Sequence, residues 1–436
     1  MPSAACPLPP KPPHAVRVLH TADWHLGKML GEMDRLAEQK HFLDFLLETL
    51  HALEVDVLLV CGDIFDSANP PQTAVQLYFE FLAAVHRECQ KCRCSTVIIA
   101  GNHDSPAHLA APAQALAALS VHVVSHFPEN AAGAVLALPC AEKAKIIIAA
   151  VPFLRDRDLR TGHLGQSADE IQQDLRAGMR RCYQEVADLA APLAEERLPV
   201  IATGHLTVVG ARRTESERDI HIGGLGAIGP ELFPELFSYV ALGHLHAPQS
   251  VEQSRIRYAG SPIPLSFGEA ADVKEMRLLE FQGPTLVRNE AVPIPLPRRL
   301  AQLRVTRETA AQALRDFAPE PSPLRAWVEV LVTDGSAGDL YERVKEWTGE
   351  SAAFEVIQVR AERSAALSLA LEETDAASGE EDLLLDPRAV FLRRLDLETG
   401  LAEGERAMLE TAFDELLGMH AQEAQIGHAA TEEALA

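Results

Sequence analysis

The stretch YVALGHLHAP, residues 239–248, is apolar from Tyr239 to Leu242 and then reads Gly-His-Leu-His. A short apolar run of this kind is a buried strand. Side chains on a strand alternate between faces, so His244 and His246 point the same way. Two imidazoles aimed at one spot are either a hydrogen-bonded pair near a surface or part of a metal site. The metal reading requires partners at the ends of other strands.

The sequence supplies them. VRVLHTAD (16–23), VDVLLVCGD (55–63), STVIIAGNHD (95–104), AKIIIAAVPF (144–153), LPVIATGH (198–205) and SYVALGH (238–244) all read as buried strands. Five of these ends carry groups suited to a divalent cation: Asp23 with His25, Asp63, Asn102 with His103, His205, and His244 with His246. Asp and Asn are ordinary turn residues after a strand, so each end has a bland explanation by itself. Five of one kind in one region point to a common site beyond the carboxyl ends of the strands. Glycine precedes Asp63, Asn102, His205 and His244, which lets the backbone turn under a crowded cluster. RLAEQKHFLDFLLETLHAL (35–53) and TAVQLYFEFLAAVHREC (73–89) show helical periodicity, giving an α/β core with strands between helical layers.

Two carboxylates, one amide and four imidazoles, with His103 left over, are too many donors for one cation and right for two. A carboxylate shared by ions about 3.5–4 Å apart is the usual arrangement for two-metal hydrolysis. With no thiol among the donors, manganese or iron suits the set better than structural zinc. A positioned histidine is the natural proton donor to a leaving oxygen.

D-x-H, GD, GNHD, GH and GHLH, in this order, resemble the calcineurin-like metallophosphoesterases. HTADWHLGK, GDIFDSANPP, GNHDSPAHL, ERDIHIGG and ALGHLHAPQ followed by YAGSPIPLSFGE resemble the DNA-nuclease branch of that family. The resemblance spans roughly residues 16–290. It implies a four-layer β-sandwich flanked by helices, with Asp23, His25, Asp63 and His246 around one manganese. Asp63 would bridge to a second ion held by Asn102, His205 and His244, and His103 would be the catalytic histidine. Asp66 or Asp104 is a candidate to orient that imidazole, and Lys28 is expected to be a solvated lysine. The resemblance further implies double-strand exonuclease and single-strand or hairpin endonuclease activity in DNA repair, recombination and replication. The chain would act as a homodimer within a heterotetramer that includes a coiled-coil ATPase. No GxxxxGK[ST] loop occurs, so ATP would be handled by that partner.

The remaining features place this core in a larger chain. A disordered leader is expected over 1–15, a nuclease domain over 16–292, a small α+β capping domain over 293–363 and an acidic linker over 364–386. Two amphipathic helices over 387–419, with Leu392, Leu395, Met408, Leu409, Phe413, Leu416 and Leu417 on their apolar face, would form the docking hairpin for the ATPase. The net charge of −24 weighs against a phosphate-rich substrate. However, residues 361–436 carry 18 acidic against 5 basic side chains, so more than half of it lies in the tail. No apolar run is long enough to span a bilayer. Seven unevenly spaced cysteines favour a reducing cytoplasm. His86, Cys89, Cys92 and Cys94 have a spacing that suits a small zinc site, but their crowding at a helix end argues against one. For RDRDLR (155–160) and RRLAQLRVTR (298–307) a solvated basic loop is the default expectation, and the second, where the small domain would meet the nuclease domain, is the better candidate to meet DNA. Two other functions compete: hydrolysis of small phosphoesters or phosphoproteins at the same site, and a scaffold whose metals only stabilise the fold.

Overall fold

The computed structural model describes residues 10–362 except 89–93, 141–142, 161–165, 196, 213–216, 218–226, 252–254, 335–339 and 349–352, together with 388, 391–392, 395, 406 and 408–413. The chain divides into two units, Met1–Ala361 and Glu362–Ala436.

In the first unit β1 (Val16–Thr21) leads to a small hairpin, β2 (Met29–Leu30) and β3 (Met33–Asp34). Then come α1 (Leu36–Ala52), β4 (Val57–Cys61), α2 (Gln72–Glu88), β5 (Ser95–Ile99), α3 (Pro106–Ala110), α4 (Ala113–Ala117) and β6 (Val121–Val124). A second run follows: β7 (Val135–Leu138), β8 (Ile146–Ala149), α5 (Asp156–Leu159), α6 (Ala168–Ala194), β9 (Val200–His205), β10 (Tyr239–Gly243), β11 (Gln249–Val251) and β12 (Ile256–Tyr258). β13 (Glu275–Gln282) and β14 (Thr285–Pro293) return to the first run. The unit closes with β15 (Leu300–Val305), α7 (Ala310–Asp316), β16 (Ala326–Val332), α8 (Leu340–Thr348) and β17 (Phe354–Ala361).

Two six-stranded sheets form, in the orders β14-β13-β1-β4-β5-β6 and β11-β12-β10-β9-β8-β7. The period-2 pattern of the strands explains their stacking. Val16, Val18, Val57, Leu59, Ile146, Ile148 and Ile201 pack between the sheets. The alternating Leu58, Val60 and Ile98 turn outward onto α1 and α2, and Ile147, Ala202 and Val240 turn outward onto α6. Each large apolar side chain buried on both sides contributes about 1.5–3 kcal/mol. The result is the expected four-layer arrangement, helices–sheet–sheet–helix. His20 on β1 crosses the sandwich, with its Nδ1 3.1 Å from the Tyr239 hydroxyl and its Nε2 3.2 Å from the Leu242 carbonyl on β10.

The third sheet, β15-β16-β17, is parallel throughout. A helix crosses over between each pair of its strands, so this part is α/β and not the α+β arrangement expected. A parallel pair requires a crossover of that kind. RRLAQLRVTR is likewise not simply a loop: it contains β15, and Arg298, two residues before that strand, stacks 3.7 Å over the Trp327 ring. RDRDLR contains α5, with Arg160 paired to Asp156 at 2.9 Å.

Residues 10–15 of the expected leader are described: Lys11 pairs with Asp56, and Ala15 is buried. In the second unit the described residues beyond Glu362 are helical, and Phe391 stacks on Phe413 with ring centroids 3.9 Å apart. The remainder of the 387–419 hairpin and all of the 364–386 linker lie outside the described residues. So do Cys89 and Cys92 of the zinc candidate, while Cys94 is buried. Among the described residues no helix is long and apolar enough to cross a membrane.

Candidate metal centre

β1, β4 and β5 are central and parallel in one sheet, as are β9 and β10 in the other. Their carboxyl ends meet where the two sheets touch. There the backbone is so close that a Cβ on Gly243 would lie 1.9 Å from the Cys61 carbonyl oxygen.

Eight non-glycine residues among those described have positive φ, and four of them are Asp23, His25, Asp63 and His244. Each such residue stores about 1–3 kcal/mol of strain, which persists where surrounding structure holds it and clusters at functional sites. Here backbone bonds hold it. The Asp23 amide donates to the Gly62 carbonyl at 3.0 Å and the His25 amide to the Asp63 carbonyl at 3.0 Å. The Asp23 carboxylate accepts the His244 amide at 2.9 Å, and the Asp63 carboxylate accepts the His103 amide at 2.9 Å.

All eight strand-end residues come together. Asp23, His25 and His246 place donor atoms within 4.8 Å of one another, as do Asp23, Asp63 and His205, and also His25, Asp63 and His103. Asp63 lies between the groups: its Oδ2 is 3.4 Å from His205 Nε2 and 3.5 Å from His25 Nε2. Asn102 Oδ1 is 2.9 Å from His205 Nε2, and the His205 and His244 ring centroids are 5.4 Å apart.

The donor chemistry fits divalent cations. Among the described residues Asp23 Oδ2 and His25 Nε2, both buried, have no hydrogen-bond partner, an unusual condition that a cation resolves. Burial raises the Asp23 carboxyl to about 7 and lowers the His25 imidazole to about 4. Burial also works against charge on His205, but the Asp63 carboxylate outweighs it and brings that imidazole up to about 9. A cation bound here would compete with protons for the His205 imidazole.

Further contacts set the ring orientations. His205 Nδ1 donates to the Cys61 carbonyl at 3.0 Å, which turns Nε2 to the cluster. His25 Nδ1 is 3.2 Å from the Asp66 carboxylate, which Lys28 also reaches at 3.0 Å. Lys28 is therefore ion-paired and not simply solvated. His103 Nδ1 donates to the Asp66 main-chain carbonyl at 2.7 Å, leaving Nε2 facing the cluster 4.0 Å from Asp63 Oδ2. Asp66 thus steadies His103 through its backbone and His25 through its carboxylate. The Asp104 side chain does not touch the His103 ring. It accepts the amides of Ile64, Phe65 and Gly101 and ties two ligand loops together.

Two further participants were not among the site residues expected from sequence. Glu269 lies 3.4 Å from His246 Nδ1, and Lys274 reaches Glu269 at 2.6 Å and the His246 carbonyl at 3.1 Å. Both are buried, and Glu269 follows His246 by 23 residues in an irregular loop. Glu269 closes the motif YAGSPIPLSFGE, which was the available signal for it, whereas Lys274 five residues on has none.

Two facing mixed sheets with a carboxylate–imidazole cluster at their carboxyl ends define a calcineurin-like phosphoesterase, and residues 16–248 match the family model of that description. Residues 296–399 match the Type 5 capsule protein repressor C-terminal domain. The SbcD component of nuclease SbcCD from Escherichia coli (strain K12) is 36% identical over 407 residues, covering 91% of this chain and 97% of that protein. The protein of the same name from Rhodobacter capsulatus is 39% identical over 303 residues, 68% of this chain and 73% of its own length. That from Bacillus subtilis is 33% identical over 276 residues, 61% and 66% respectively. The chain belongs to the SbcD nuclease family of calcineurin-like phosphoesterases.

Proposed function

We propose that this chain is the DNA-cleaving component of an SbcCD-type complex, hydrolysing phosphodiester bonds with two divalent cations, manganese before iron. The observation that carries the chemistry is the donor cluster around Asp63, in which Asp23 Oδ2 and His25 Nε2 have no hydrogen-bond partner among the described residues. Family membership carries the substrate. Asp23, His25, Asp63 and His246 would hold one cation, and Asp63, Asn102, His205 and His244 would hold the other. When bound, the pair supplies an activated water and charge to brace the phosphoryl oxygens.

The chain's own groups do the rest. Asp66 O fixes the His103 proton on Nδ1, so Nε2 is the atom that exchanges a proton with the reactants. With Nδ1–H kept on the Asp66 carbonyl, His103 Nε2 takes up a proton from solvent and hands it to the leaving oxygen as the phosphorus–oxygen bond breaks, which leaves the ring neutral. The Asp104 knot keeps the His103 and Asp63 loops in register. The C-terminal helices dock the SbcC-type coiled-coil ATPase, and two copies of each chain form the cytoplasmic assembly.

The test offers manganese-loaded protein labelled duplex and hairpin DNA, alone and with SbcC plus ATP, beside a small chromogenic phosphodiester. Manganese-dependent cutting of DNA is expected. Hydrolysis of the small diester with DNA left intact under every condition would mean that the substrate is wrong and the site right.

A further inference from the structure

The loop from Ser261 to Lys274 connects the metal cluster to the third sheet. Its inner side faces His246. Glu269 Oε1 lies 3.4 Å from His246 Nδ1, while Glu269 Oε2 accepts Lys274 Nζ at 2.6 Å and the Leu265 amide at 3.1 Å. Ser261 Oγ accepts a second bond from Lys274 at 3.0 Å, and the Ser261 amide donates to the His246 carbonyl at 3.1 Å. Glu269, Lys274 and Ser261 are all buried, so the carboxylate has little freedom to move away from the imidazole.

The outer side of the same loop packs elsewhere. Phe267, two residues from Glu269 in the single turn Phe267–Glu269, lies in one apolar cluster with Leu30, Leu300 and Trp327. Leu300 and Trp327 belong to β15 and β16 of the third sheet. A polar path runs beside this cluster. Arg298 stacks over Trp327 and pairs with Glu38 at 3.0 Å. Glu38 also pairs with Arg35 at 2.6 Å, and Arg35 donates to the Pro264 carbonyl. Arg35 and Glu38 are buried, and Pro264 is within the loop.

One loop therefore carries the contact that orients a candidate cation ligand and the contact that seats the third sheet. We propose that the segment Ser261–Lys274 is a positioning relay, in which packing of β15 and β16 on Phe267 holds Glu269 against His246. It thereby sets cation affinity at the Asp23–His25–His246 position. Glu269 accepts the His246 Nδ1 proton and leaves Nε2 for the cation, as outer carboxylates do for ligating histidines. Glu269, Phe267 and Trp327 are positioning residues and touch neither cation nor substrate. Movement of the third sheet would change occupancy of one cation position and spare the other, where His205 is held by the Cys61 carbonyl inside the sandwich.

The inference rests on the two-cation reading above. It is tested by calorimetric titration of the full-length metal-free protein with manganese, without substrate. Wild type is expected to bind two ions. Glu269→Gln should weaken one of them about 10- to 100-fold and leave the other within about twofold. Trp327→Ala, more than one element away, should weaken the same ion by about threefold or more, with Trp327→Phe restoring it. Phe267→Leu gives an independent reading on the loop side should Trp327→Ala not fold. If wild type binds two ions and Trp327→Ala and Phe267→Leu both match it while Glu269→Gln does not, the relay is wrong. Equal weakening of both ions by Trp327→Ala means general loosening and likewise overturns the relay. Wild type that takes up no manganese removes the two-cation reading itself, and the relay with it.

Discussion

Gly62 and Asp66 show how much of the site is decided by single atoms. Gly62 has φ +88°, and a Cβ there would lie 2.2 Å from His205 Nδ1. Gly62→Ala therefore adds left-handed strain of about 1–3 kcal/mol and drives the His205 ring from its place. A lowered melting temperature in metal-free protein, together with weaker manganese binding, is the expected result. Asp66→Ala separates two functions of one residue. It removes the carboxylate from His25 Nδ1 and from Lys28 but keeps the carbonyl under His103. Manganese affinity should fall about 10-fold or more, with the rate at saturating manganese within a few-fold of wild type. The strand-end donors are legible in sequence because each follows an apolar run directly. Glu269 closes a quoted motif, but its contact with His246, like that of Lys274, is not legible, because it depends on tertiary folding of a loop with no periodicity. The separate duties of the Asp66 carboxylate and carbonyl were also beyond sequence, since side chain and backbone of one residue share a single letter.

At the scale of elements, the six strands read from sequence, β1, β4, β5, β8, β9 and β10, are those buried on both faces. Apolar runs identify them. The outer strands β6, β7, β11 and β14 are partly exposed and short or polar, so no run marks them. β13 is better buried but interleaves Glu275, Arg277 and Glu280 with its apolar residues. α6 carries Leu175, Met179, Cys182, Tyr183 and Val186 on one face, a helical spacing spread thinly over 27 residues. The link between the sheets gives a pH prediction. Burial lowers the His20 imidazole to about 3, so the fold holds it neutral between Tyr239 and Leu242. The unfolded chain takes up a proton below about 6.5, and the folded chain does not until about 3. Stability is therefore lost as pH falls through that window, by about 2 kcal/mol between pH 7.5 and pH 5 from this group. Denaturant titrations of wild type and His20→Gln should diverge by that amount over the window. Parallel pH dependence of the two proteins would remove His20 from the account.

For the whole molecule, the third sheet lies within the same unit as the sandwich, and the division falls after Ala361. A chain ending at Ala361 should keep the manganese affinity and small-diester hydrolysis of the full protein while losing association with the ATPase, as measured by co-sedimentation. Retained association would move the docking surface into the first unit. The acidic tail also answers the objection that net charge raises against DNA, since more than half of the −24 lies beyond residue 360.

On the proposed mechanism the cluster holds two cations and His103 hands a proton to the leaving oxygen. Bound manganese and cleavage of labelled duplex DNA, with SbcC and ATP present, should be measured side by side for wild type and His103→Ala. Two ions per chain in both proteins, with cleavage by the variant reduced about 10²-fold or more, is the predicted result. A variant that cuts at the wild-type rate with both ions bound would contradict it.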